Sequence, residues 1–231
     1  MINLITFDLD DTLWDVRPAL IKAEQAQNVW LQQHYPRAIE NRDSHDLNQR
    51  KKDLIKQQPN LIHHISRFRQ IFLEQLLLDA GVPPDEACDA AMQAFGAFIA
   101  RRNDVELFKH AESVLEELNQ DYTLAAITNG NADVSQTPLA AFFSFALKAE
   151  DVGAAKPAPD LFLAAMAQAN SSPEQIVHVG DSHDHDIVGA HGVGIRSVWL
   201  TSEQQPSTLA SGTIQCLSEL PNIIRTLQSE N

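Results

Sequence analysis

Short apolar runs recur along this chain with helical patterns between them, and this alternation narrows the fold more than any other feature. The first run occupies residues 4–9 and ends in acids, as a buried parallel strand does where its carboxyl end meets water. Similar runs lie at 123–128, 176–180 and 195–200, with a weaker one at 145–147. Ala111, Val114, Leu115 and Leu118 share one helical face, and so do Leu161, Phe162, Ala165 and Ala169. Pro157, Pro159 and Asp160 announce the second of these helices, since all three suit a first turn. The pattern predicts an α/β fold with a parallel sheet covered on both faces.

One long interval breaks the alternation. From residue 15 to residue 106 the sequence offers helices and no strand. Pro18 opens the first helix, with Leu20, Ala23, Val29 and Trp30 as its expected buried stripe. Ile62, Ile65, Phe68, Phe72, Leu76 and Ala80 form the clearest one, stopped by Gly81 and then Pro83 and Pro84. Ala87, Ala90, Ala91, Ala94, Phe95 and Phe98 carry the next. Residues 41–60 are polar and read either as a short helix or as a mobile loop. A helical block inserted just after the first strand predicts a separate small bundle. The expected division is residues 1–14 with 107–231 as the core, and 15–106 as the insertion.

Charge constrains the partners. The 231 residues hold 17 Lys and Arg against 31 Asp and Glu, a formal net charge of −14. Nucleic acid and anionic membranes are recognised through Lys and Arg, so neither is expected as a main partner. A phosphate site in such a protein needs a local cation, from metal or lysine. The longest apolar stretch, residues 139–147, is too short to span a bilayer and is broken by Ser144. The N-terminus has no basic segment ahead of its apolar run and does not read as a signal peptide. Cys88 and Cys216 have no paired spacing, which predicts reduced thiols in a cytoplasmic protein, each a small buried hydrophobe.

Four segments carry chemistry. The first strand ends Asp8-Leu9-Asp10-Asp11-Thr12-Leu13-Trp14, at the strand end where open parallel sheets bind ligands. Three acids so close repel one another unless a cation neutralises them; the plainer reading is a solvated turn with Asp11 capping the next segment. Thr128-Asn129-Gly130 closes a second strand with a hydroxyl and a turn whose N–H groups suit a phosphate oxygen. Lys156 stands at the entrance of a helix, where a point charge suits an anion. Gly180-Asp181 ends another strand, with Asp184 and Asp186 beyond it. Carboxylates from two strand ends can jointly hold Mg²⁺; Asp186 equally suits the cap of the helix carrying Ile187 and Val188.

Together, in this order, the four segments resemble the haloacid dehalogenase superfamily of phosphohydrolases, over the whole chain. The resemblance implies a Rossmann-like three-layer core and a helical cap, the block at 15–106, that closes over the site and chooses the leaving group. It also implies that Asp8 attacks phosphorus to form an aspartyl phosphate and that Asp10 is the general acid and base. Thr128, Asn129 and Lys156 would hold the transferring phosphate. Mg²⁺ would be held by the Asp8 carboxylate, the Asp10 backbone carbonyl and Asp181, with Asp186 acting through water. Members that cleave carbon–halogen bonds usually lack an acid at the position of Asp10, so its presence argues for phosphate esters. The departure from the family pattern is His183-Asp184-His185, which leaves open a zinc site completed by His178 or His191 beside the reading as solvated loop histidines.

The segments Ala126-Ile127-Thr128-Asn129-Gly130-Asn131-Ala132 and His178-Val179-Gly180-Asp181 also resemble a bacterial subgroup of flavin-related phosphatases. Those act on flavin mononucleotide and on the phosphorylated ribitylamino-pyrimidine precursor of riboflavin. The expected function is a Mg²⁺-dependent phosphatase of a small phosphorylated metabolite, acting as monomer or homodimer. A sugar-phosphate mutase and a non-catalytic binding protein are the alternatives.

Overall fold

The computed structural model describes residues 1–40, 43–202 and 207–229. Six parallel strands form one sheet in the order β3-β2-β1-β4-β5-β6. These are β1 (Leu4–Phe7), β2 (Thr123–Thr128), β3 (Phe145–Lys148), β4 (Ile176–Gly180), β5 (Arg196–Leu200) and β6 (Gly212–Ile214). β1 lies between β2 and β4, with Leu4 opposite both Thr123 and Ile176.

Alternation along the strands sorts residues into two cores. Ile5, Phe7, Leu124, Ala126, Val177 and Val179 pack on one face with helices α5 (Ala111–Leu118) and α9 (Leu220–Ser229). Leu4, Ala125, Ile127 and Ile176 point to the other face. There they meet α6 (Ala149–Val152), α7 (Asp160–Ala169) and α8 (Val188–Gly192). This is the parallel sheet covered on both faces that the alternating pattern predicts, and the three-layer, Rossmann-like core that the resemblance implies. All four expected stripe residues of α5 are buried. Each contributes about 1.5–3 kcal/mol at most, less for Ala111, so this short helix is held by its packing.

The chain forms two compact units, Met1–Val16 with Val105–Asn231, and Arg17–Asp104. The second unit is all-helical: the body of α1 (Val16–His34), then α2 (Ser44–Gln57), α3 (Ile65–Asp79) and α4 (Pro84–Arg102). Asp43 caps α2 by accepting from the His45 N–H at 3.1 Å, which settles residues 44–57 as helix; residues 41 and 42 lie outside the described residues. Gly81 ends α3 with φ +86°, a left-handed value that glycine takes without strain.

Some expectations shift. The buried stripe of α1 is Ala19, Ala23, Gln27 and Leu31, while Val29 is 56% exposed. An i, i+4 row is what a helix begun at Val16 presents to one face, and it admits a glutamine that no apolar pattern would select. Ile62 sits in a 3₁₀ turn, Pro59–His63, ahead of α3 and is exposed. Cys88 lies exposed on α4 and Cys216 is half-exposed, so neither is a buried hydrophobe; both are free thiols. No helix among the described residues is long and apolar enough to cross a membrane.

Candidate active site

The acids after β1 are held in a tight turn. The Asp8 N–H donates to Val179 O at 2.9 Å, extending the ladder with β4 by one residue. Asp11 adopts φ 60°, and its N–H reaches Trp14 O at 2.8 Å. Its carboxylate accepts from the Val16 N–H at 3.1 Å and so caps the start of α1, as its place in the sequence suggests. The same turn gives Asp10 and Thr12 different partners. Trp14 Nε1 donates to Asp10 Oδ1 at 2.8 Å, and Thr12 Oγ1 donates to Asp181 Oδ1 at 3.0 Å.

The ends of β2 and the loop before α7 are locked together through one amide. Asn129 Nδ2 donates to Lys156 O at 2.9 Å, and the Lys156 N–H donates to Asn129 Oδ1 at 2.7 Å. The Asn129 side chain is therefore engaged with backbone. Beside it, Gly130 N–H donates to the buried Thr128 hydroxyl oxygen at 3.0 Å. Lys156 Nζ is buried and donates three times, to Asp8 Oδ1 at 2.7 Å, Asp186 Oδ1 at 2.6 Å and Ile127 O at 2.8 Å. All three ammonium protons have protein acceptors, so the lysine's first task is to hold carboxylates together.

After β4 the chain makes one wide π turn, His183–Ile187, capped by the Ser182 hydroxyl. Asp186 is thus inside the turn and not its cap. Its Oδ2 accepts from the Ser182 N–H at 3.0 Å, folding the carboxylate back over Gly180. A Cβ at position 180 would overlap the Asp186 side chain, which explains glycine there. Behind Asp186, His178 Nε2 lies 3.1 Å from Asp186 Oδ1 and its Nδ1 lies 2.9 Å from Thr6 Oγ1. The buried line Thr6, His178, Asp186, Lys156, Asp8 runs from β1 to β4 and returns to the end of β1.

Burial dominates the electrostatics. It raises the Asp8 carboxyl well above the usual range, opposed by Lys156 and reinforced by the charges of Asp186 and Asp10. Burial also raises Asp181, with Asp186 adding to it and Thr12 opposing. Burial works against ionisation of Asp186 too, but the Lys156 charge and His178 outweigh it and hold this carboxyl far below the ordinary range. For Lys156, burial is overcome by Asp186 and Asp8, which raise it. His178 is lowered, chiefly by burial.

Asp8, Asp10, Thr128, Asn129, Lys156, Asp181 and Asp186 all line one cavity of about 200 Å³, joined by Gly130, Ser182 and His185. Every residue expected at the site is brought to it. Ligand atoms of Asp8, Asp181 and Asp186 lie within 4.8 Å of one another. An all-carboxylate oxygen set, with Asp8 and Asp181 raised chiefly by burial and further by neighbouring acids, suits a hard divalent cation such as Mg²⁺. The zinc reading finds no support: the two ring nitrogens of His178 face Thr6 and Asp186, and among the described residues the cluster spaced to hold a metal, Asp8, Asp181 and Asp186, contains no histidine. Sequence reasoning named His178 only as a candidate zinc ligand, and it missed Thr6 and Trp14 as partners of the site residues. Only the period-two alternation that turns Thr6 and His178 to one face carried a signal for that pair.

Fold and site together define an α/β enzyme with an acidic, metal-competent centre at the carboxyl edge of its sheet. The family model for haloacid dehalogenase-like hydrolase matches residues 2–194. The chain belongs to the haloacid dehalogenase-like hydrolase family. It is 33% identical over 202 residues to the 5-amino-6-(5-phospho-D-ribitylamino)uracil phosphatase YigB of Escherichia coli K12, covering 87% of this chain and 84% of that protein. A phosphoserine phosphatase of Thermus thermophilus is 33% identical over 145 residues, covering 60% of this chain and 57% of that protein. Among solved structures, a protein described as 2-haloacid dehalogenase from Pseudomonas syringae pv. tomato superposes with a TM-score of 0.92 at 39% identity, covering 98% of this chain and 99% of that one.

Proposed function

We propose that this protein is a Mg²⁺-dependent phosphatase that cleaves a small phosphorylated metabolite through an aspartyl phosphate on Asp8. The observation carrying this reading is Asp10, two residues beyond the nucleophile in the same cavity and oriented by the Trp14 N–H. An alkoxide leaving group needs a proton, and Asp10 is placed to supply it.

A carboxylate oxygen of Asp8 attacks phosphorus as the bond to the leaving oxygen breaks, and Asp10 protonates that oxygen. Asp10 then takes a proton from water, which attacks the acyl phosphate and regenerates the Asp8 carboxylate. Asp8, Asp181 and the Asp10 carbonyl would hold Mg²⁺, with Asp186 acting through water, and the ion would neutralise phosphate charge. The Thr128 hydroxyl, whose oxygen is held by the Gly130 N–H, and the backbone N–H of Asn129 are assigned to the phosphate oxygens. Lys156 keeps Asp8 and Asp186 in register and can turn one N–H to phosphate. The helical block at 15–106 is assigned the role of cap, selecting the leaving group.

The likeness to YigB, which is named for a phosphorylated ribitylaminouracil, supports that substrate class; flavin mononucleotide stands beside it only through the resemblance of residues 126–132 and 178–181. The Pseudomonas syringae relative favours a second reading, displacement of halide by Asp8. A halide leaves without a proton, and that reading gives Asp10 no task. Phosphate and halide release should be measured side by side, from a panel of phosphomonoesters and from 2-chloropropionate, with Mg²⁺, with chelator, and with Asp8→Asn. Phosphate release that needs both Mg²⁺ and Asp8 is expected; halide release alone would replace the proposal with the second reading.

A further inference from the structure

The burial of His178 has a use beyond packing. It stands in β4 directly opposite Thr6 of β1, on the face that carries Leu4 and Ile176, where an apolar side chain would fill the space as well. An imidazole is tolerated there only if both ring nitrogens are satisfied. Both are: Nδ1 lies 2.9 Å from Thr6 Oγ1, and Nε2 lies 3.1 Å from Asp186 Oδ1.

The partners decide which nitrogen carries the proton. Asp186 is held as a carboxylate by Lys156 and His178 and can only accept, so Nε2 is the donor. Burial disfavours a second proton on the ring, which leaves Nδ1 to accept from the Thr6 hydroxyl. The Phe162 ring meets the imidazole edge-on, with 90° between the planes and 5.2 Å between centroids. Phe162 in turn needs Gly189, since a Cβ there would come within 2.7 Å of its ring. Thr6, Phe162 and Asp186 together give the Nε2–H one direction.

That direction matters at Asp186. A carboxylate offers about four acceptor positions, two on each oxygen. Lys156 Nζ, at 2.6 Å, and His178 Nε2 take those of Oδ1, and the Ser182 N–H takes one of Oδ2 at 3.0 Å. The position that remains is on Oδ2. Lys156 does not fix this orientation alone, because its rotatable ammonium is shared with Asp8 and Ile127 O.

We propose that Thr6 and His178 are positioning residues that hold the Asp186 carboxylate toward Asp8 and Asp181 and so set the affinity of this cluster for Mg²⁺. The proposal rests on the Mg²⁺ dependence proposed above. It gives a role at the ion to two side chains that do not line the cavity. Groups that hydrogen-bond to a metal's ligands typically carry about 10–100-fold in metal affinity.

The test is isothermal titration calorimetry of Mg²⁺ into the chelator-treated full chain, well below each variant's melting temperature, with no substrate present. His178→Leu, which has no donor, should weaken Mg²⁺ by about tenfold or more. Thr6→Val keeps the imidazole and the shape of position 6, and should weaken it by about threefold or more. It also keeps the test in hand if His178→Leu does not fold. His178→Gln, whose amide N–H can replace Nε2–H, should recover much of what His178→Leu loses. At saturating Mg²⁺ the KM for p-nitrophenyl phosphate should be unchanged in all three, which a general loosening of the cavity would not allow. Wild-type affinity in Thr6→Val and His178→Leu, or equal losses in the Gln and Leu variants, would reduce His178 to core packing and overturn the proposal. A wild-type protein that binds no Mg²⁺ would overturn it together with the metal dependence on which it rests.

Discussion

Trp14 Nε1 donates to Asp10 Oδ1 at 2.8 Å, within a turn so tight that Trp14 is fully buried while Asp10 still reaches the cavity. Hydrogen bonds to a charged group are worth about 1.5–3 kcal/mol, most of it here in orientation. Trp14→Phe is expected to lower kcat by about tenfold, roughly 1.4 kcal/mol, with KM little changed, since the Asp10 carboxyl acts only on the reacting atoms. Steady-state kinetics on p-nitrophenyl phosphate check this. A rise in KM at constant kcat would show that Trp14 serves substrate binding instead.

Gly180→Ala places a Cβ where the Asp186 carboxylate folds back. Asp186 has to move, and it takes with it the contacts to Lys156 and His178. Loss of activity by about a hundredfold is expected, about 2.7 kcal/mol in the barrier. A lower melting temperature should accompany it. An active, equally stable variant would refute the close approach.

Lys156→Met leaves Asp8 and Asp186 buried without their ammonium partner. Removing one member of a buried ion pair costs about 3–5 kcal/mol. Urea unfolding in chelator should show a loss of that order. Mg²⁺ should recover part of it, and more in the variant than in wild type, because only the folded carboxylate cluster binds the ion. Equal stabilisation of both proteins by Mg²⁺ would detach the ion from this cluster.

His178 gives the fold a pH dependence. Burial lowers its pKa, so between the native value and about 6.5 the unfolded chain binds a proton that the native protein does not. Its contribution to stability is therefore present above about pH 6.5 and falls as the solution is acidified. His178→Gln should flatten the decline in urea midpoint between about pH 7 and about pH 5.5. An unchanged slope would assign the decline to other groups.

The sheet was legible because buried parallel strands are short continuous apolar runs. Residues 123–128 and 176–180 coincide with β2 and β4. β6 was not read, since three residues, Gly212–Ile214, carry too few side chains to set a pattern. α9 carries Leu220, Ile224 and Leu227 at helical spacing, the same signal as α5, but follows a polar stretch that hides its start. The site was legible as a set of strand-end residues. What each does locally was not. Asn129 reads in sequence as a phosphate ligand, yet its amide ties two loops together; Asp186 reads as a metal ligand or equally as a helix cap, and it sits inside a π turn, not at its cap. Such pairings join residues far apart in the chain, as with Thr12 and Asp181, and spacing alone does not encode them.

The most direct test of Asp8 as a nucleophile toward phosphorus is a single turnover in oxygen-18 water, with excess enzyme and Mg²⁺, followed by mass spectrometry of both phosphate and the peptide containing Asp8. An aspartyl phosphate opened by water at phosphorus places the label in phosphate and leaves Asp8 unlabelled, the result expected here. Label in the Asp8 carboxylate would mean water attacks carbon, as in displacement of halide, and would contradict the account.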